Sequence, residues 1–108
     1  PALSASSYSD SQTEAAIFEL YKDHHYLADP HGAVGYLALR DFLQAHPGQK
    51  GIFLETAHPV KFFDVVEPII DRTIDLPDQV KQIMNKEETA VGMQAETIKL
   101  KEFLLDMN

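Results

Sequence analysis

The chain has 108 residues, 44% hydrophobic and 24% charged, which is the size and composition of one small globular unit with a modest core. Its 17 acidic against 9 basic side chains give a formal net charge of -8, which opposes a phosphate backbone, and no Lys/Arg cluster offsets it, so nucleic acid is excluded as a partner. There is no cysteine, no apolar run near the roughly 18 to 20 residues that span a bilayer, and no signal-peptide pattern, so no membrane partner and a cytoplasmic location are expected.

Residues 1–8 are small and polar and read as a linker or cut end, with residues 9–108 forming the folded part. At Ser9-Asp10-Ser11 a helix begins, with Ser11 and Glu14 spaced as a capping box and Ala16, Ile17, Leu20 and Tyr21 at helical spacing, so a first helix is predicted from about Ser11 to Asp23. Asp29-Pro30 and Gly32 mark a loop, followed by a second helix from Ala33 to about Ala45 with Val34, Leu37, Ala38, Phe42 and Leu43 on its apolar stripe. Gly35 inside that helix points to close packing.

GIFLET, 51–56, is the one clear strand, short and apolar, and a single strand cannot form a sheet. A third helix is predicted over KFFDVVEPII, with Phe62, Val65, Val66 and Ile69 on one face and Pro68 limiting its regularity. Leu76-Pro77-Asp78 opens a fourth, with Val80, Ile83 and Met84 as its stripe, and a last helix is predicted over AETIKLKEFLLDMN. Helices flanking a strand give an α/β class, mostly helical with one clear strand.

Chemistry concentrates at two element junctions, DPHGAVG at 29–35 and ETAHPVKF at 55–62. Ligands of open α/β sheets bind beyond the carboxyl ends of strands, which is where Thr56 stands. On position alone, Thr56 is more often a turn residue than a contact. His24, His25, Asp29 and His31 lie close in sequence, but their spacing matches no zinc or calcium pattern, so no metal site is expected.

DPHGAVGYLAL, then LETAHPVKF, then IDLPDQV resemble the C-terminal part of the threonine synthase family, of the type found in bacteria and yeast. The family's usual form is DPH-[T/G]-AVG with TAHPAKF. The departures here are Gly32 for the commoner threonine and Val60 for alanine, neither expected to touch Thr56. The resemblance implies a fold type II, tryptophan-synthase-like pyridoxal-phosphate enzyme. It would be a carbon-oxygen lyase acting on phosphates, converting O-phospho-L-homoserine and water to L-threonine and phosphate in threonine biosynthesis.

By the same resemblance, Thr56 is the hydroxyl residue set against the pyridine nitrogen, and Asp29, His31 and His58 line the active site. His58 reads first as a loop-shaping residue bonded to backbone. No catalytic residue is expected in this chain. The Schiff-base lysine and the glycine-rich phosphate loop belong to the N-terminal remainder of the enzyme, which is the implied partner, so the isolated chain should neither bind the cofactor nor turn over substrate. The alternative is a small helical interaction module with no catalytic role, using the apolar surface around GIFLE and KFF.

Overall fold

In a computed structural model, residues 3–83, 86–87 and 90–107 are described. The chain divides into two compact units, Pro1–Leu76 and Pro77–Asn108.

The first unit is built on α1 (Asp10–His24), α2 (Pro30–Ala45) and α3 (Phe63–Ile70), with α1 packed against both others. α1 starts earlier than the Ser11–Glu14 pattern predicts. Its cap is Ser9, whose backbone N–H donates to Gln12 Oε1 at 2.9 Å while the Gln12 N–H donates back to Ser9 Oγ at 3.4 Å. The same reciprocal pairing is thus made two residues earlier, with glutamine in place of glutamate. The helix ends at His25, which turns left-handed at φ 53°.

α2 also begins before its predicted start. Proline blocks the residue before it but not its own position, since its missing N–H is not needed in the first turn. Asp29 supplies the cap, accepting the Gly32 N–H at 2.7 Å. Ala16, Ile17 and Leu20 of α1, Ala33 and Leu37 of α2, and Val66 and Ile70 of α3 are buried, together with Ala28, Val60 and Ile74. Residues 3–8 are irregular, and the Tyr8 hydroxyl donates to Asp41 Oδ2 at 2.8 Å, so the expected linker is fastened to α2 at its last residue.

The predicted strand is corrected. Residues 51–56 run without regular secondary structure, and no strand occurs among the described residues. A strand is defined by a neighbour to which its backbone bonds, and none of the described residues supplies one. The period-two pattern is nonetheless present in the burial: Phe53 and Glu55 are half-buried, whereas Ile52, Leu54 and Thr56 are exposed. The α/β layer expected from sequence is therefore not formed among the described residues, which are mostly helical with one docked, unpaired segment.

That segment lies along α2 through alternate residues. Gly51 lies against Leu39, Phe53 against Gly35, and Glu55 against Gly32. Phe53 also meets Tyr26 and Tyr36 edge-on, with ring centroids 6.1 and 6.0 Å apart. At Gly35 a Cβ would stand 3.6 Å from Phe53, an ordinary contact rather than the tight one its sequence position suggests.

The third predicted helix is a 3-10 turn, Pro59–Phe62, followed by α3, and Val66 and Ile70 form its buried stripe. Val65, predicted on the apolar face, is 41% exposed. In the second unit α4 (Asp78–Lys81) and α5 (Thr97–Asp106) form, neither with a buried residue. Met84 of the predicted fourth stripe lies outside the described residues. Among the described residues, no helix is long and apolar enough to cross a membrane.

Candidate functional site

Four segments of the first unit converge on the start of α2. Asp29, at 0% exposure, is the centre. Its Oδ1 takes the Gly32 N–H, and its Oδ2 lies 3.1 Å from His31 Nδ1. Glu55 reaches in from the docked segment: its Oε1 accepts the Asp29 backbone N–H at 3.0 Å, and its Oε2 accepts the Tyr26 hydroxyl at 3.3 Å. The His31 ring lies over Phe62, centroids 5.1 Å apart, which brings the end of the 3-10 turn to the same place.

The two carboxyls are pushed in opposite directions. Burial raises the Asp29 carboxyl, but its bonds to the Glu55 carboxyl, the Gly32 N–H and His31 outweigh that, and it stays below the usual aspartate value. Burial and the neighbouring Asp29 carboxyl hold Glu55 above the usual glutamate value, against the opposing pull of the Asp29 N–H and the Tyr26 hydroxyl. Burial and the adjacent Glu55 raise the Tyr26 hydroxyl as well. In the tautomer that donates from Nδ1 of His31 to the Asp29 carboxylate, Nε2 is the acceptor.

The sequence-predicted residues are only partly gathered. Asp29 and His31 are bonded to each other. Thr56 is exposed and joins the group through its neighbour Glu55. His58 faces its own backbone, its Nδ1 accepting the Val60 N–H at 3.1 Å to cap the 3-10 turn. Glu55, Tyr26 and Gly32 were not singled out from sequence for this place. Position 32 in particular is not neutral, because it lies against the residue next to Thr56. The signal available was Glu55 itself, an acid on the same alternate register as the inward Phe53.

Two larger clefts lie to the sides. One, of about 660 Å³, is lined by Phe18 of α1 and Val65, Pro68 and Ile69 of α3. The other, of about 650 Å³, runs past Leu20, Tyr26, Tyr36 and Phe53 to Glu55. Only the second touches the carboxylate group, and Thr56 lines neither. Among the described residues no three His, Asp or Glu side chains converge as metal ligands would.

A family model described as "Threonine synthase, C-terminal" matches residues 32–104, more than half of the chain. The chain belongs to the threonine synthase family. The match takes in Gly32, Glu55, Thr56 and His58 and begins just after Asp29 and His31. Threonine synthase of Escherichia coli (strain K12) is 47% identical over 73 residues, 68% of this chain and 16% of that protein. Threonine synthase of Buchnera aphidicola subsp. Schizaphis graminum is 39% identical over 100 residues, 93% of this chain and 23% of that protein. The crystal structure of threonine synthase from Escherichia coli superimposes with a TM-score of 0.80 at 36% identity, covering 92% of this chain and 22% of that one. The chain thus spans under a quarter of the length of these threonine synthases.

Proposed function

We propose that the chain forms one wall of the cofactor site of a fold type II threonine synthase, the enzyme that converts O-phospho-L-homoserine and water to L-threonine and phosphate. The observation that carries this reading is the setting of Thr56. It is exposed, it follows directly on the anchored Glu55, and its hydroxyl makes no hydrogen bond among the described residues. Such a hydroxyl fits a contact to a ring nitrogen, because it can donate to an unprotonated nitrogen and brings no charge that would hold the nitrogen protonated. Pyridoxal phosphate, when bound, supplies the electron sink for the reaction.

Asp29, His31 and His58 line the same wall in this proposal. Asp29 fixes the His31 ring and leaves Nε2 as the atom that accepts from a proton-bearing group of the substrate. His58 shapes the turn that follows Thr56. Every lysine of the chain is exposed and none stands in a cofactor motif, so the Schiff-base lysine and the phosphate-holding loop are assigned to the remainder of the enzyme. The chain alone is then inactive, and the remainder of the enzyme is its partner. A cytoplasmic location belongs to the same proposal.

The test is Thr56→Val in the complete enzyme. Losing one polar contact of this kind lowers kcat by about tenfold and moves the cofactor's visible absorption band, with the circular dichroism of the protein unchanged. An unaltered kcat together with an unmoved band sinks the assignment.

A further inference from the structure

Gly32 is the third residue of α2, in helical backbone where alanine is the better helix former. What excludes a side chain there is Glu55. A Cβ built on Gly32 would fall among the atoms of its carboxyl group, 2.5 Å from Cδ and 2.6 Å from Oε1, closer than real Cβ contacts come. That carboxyl is not a loose end free to swing aside, because Oε1 holds the Asp29 N–H and Oε2 the Tyr26 hydroxyl. Moving it would leave the N–H of a fully buried residue without its acceptor. Gly32 and Glu55 are two halves of one fit.

The rest of the docked segment has apolar contacts with α2, Gly51 on Leu39 and Phe53 on Gly35. Apolar contacts are non-directional and tolerate small slides along a helix. The contact at Glu55 is directional, and one peptide bond separates it from Thr56.

We propose that Glu55 is a positioning residue: seated over Gly32 and bonded to Asp29 and Tyr26, it sets where the Thr56 hydroxyl stands relative to the start of α2. This rests on the reading of Thr56 as a cofactor contact and adds the reason its position is fixed. Glu55 acts through the backbone and touches no reacting atom. Gly32 makes the room it needs, so the two positions depend on each other and a change at one is felt through the other.

The experiment is a double-mutant cycle in the complete enzyme, comparing Gly32→Ala, Glu55→Ala and the double variant. The readouts are the dissociation constant for pyridoxal phosphate and the position of the cofactor's visible band. Gly32→Ala in the presence of Glu55 weakens cofactor binding by about tenfold and moves the band, whereas the same change in the Glu55→Ala background alters binding by no more than about threefold. Equal effects of Gly32→Ala in both backgrounds overturn the proposal. Should Gly32→Ala not fold, Glu55→Gln against Glu55→Ala decides: glutamine keeps an acceptor for the Asp29 N–H and retains most of the affinity that alanine loses, and equal losses overturn the proposal. Thr56→Val separates the two levels. If it leaves the band unmoved, the assignment of Thr56 falls and this proposal with it. If it moves the band but positions 32 and 55 are uncoupled, only the positioning role falls.

Discussion

Asp29 and Glu55 share one small space with opposite proton affinities, and the signs of their contributions to stability follow from that. The Asp29 carboxyl is held below its ordinary value of 3.8, so the folded state binds its proton more weakly than the unfolded chain does. Its contribution is present above 3.8 and is lost as pH falls through the folded value. The Glu55 carboxyl is held above its ordinary value of 4.5, so the folded state binds that proton more tightly. Its contribution is present below 4.5 and is lost as pH rises through the folded value. Glu55→Gln removes the second titration and not the first. The complete enzyme carrying it therefore gains stability relative to wild type as pH rises above 4.5, and loses that relative gain below it, as denaturant unfolding at a series of pH values would measure. A difference independent of pH would contradict this assignment. At this scale the sequence drew attention to 29, 31 and 56 through their motifs, and the structure bonds Asp29 to His31 and leaves Thr56 exposed. The sequence did not disclose Glu55 or Gly32, because a contact across 26 residues leaves no mark in local spacing.

Among the elements, helix existence was legible and helix boundaries less so. The run Ser9-Asp10-Ser11 offers several capping side chains, and the choice among them falls to Ser9 because Gln12 completes the pairing there. The buried face of α3 was misjudged at Val65, since the turn Pro59–Phe62 winds at about three residues per turn rather than about 3.6 and shifts which positions face α1. This difference is measurable. Ile17→Ala, at a residue with 0% exposure, destabilises the fold by about 2 to 5 kcal/mol, whereas Val65→Ala costs about 0.5 kcal/mol or less, both read from denaturant unfolding. Comparable losses would mean that Val65 is a core residue after all. For 51–56 the sequence showed a short apolar run and not its two faces, since Ile52, Phe53 and Leu54 are alike in type and only Phe53 is turned inward. Pairing depends on what lies beside a segment, which its own residues cannot specify.

For the whole molecule, the outward face of that segment is the feature with most consequence. Ile52 and Leu54 are 89% and 77% exposed beside backbone with no ladder partner among the described residues. An apolar, unpaired segment is a template for another chain, so the isolated 108-residue chain is expected to self-associate with rising concentration. Ile52→Thr with Leu54→Thr shifts it toward monomer in sedimentation velocity while its helical circular dichroism is kept. A concentration-independent monomer in the unaltered chain would refute this.

The docking of residues 51–55 on α2 also bears on the order of folding. Its contacts close over short stretches of chain, the longest of those to α2 and its cap spanning 26 residues, so little loop entropy is spent in making them. Contacts of low sequence separation form early. Two helices and the segment docked along the second can therefore assemble from contacts that need no residue beyond 55, so the seat of Glu55 is set by the near part of the chain and does not wait on the far part.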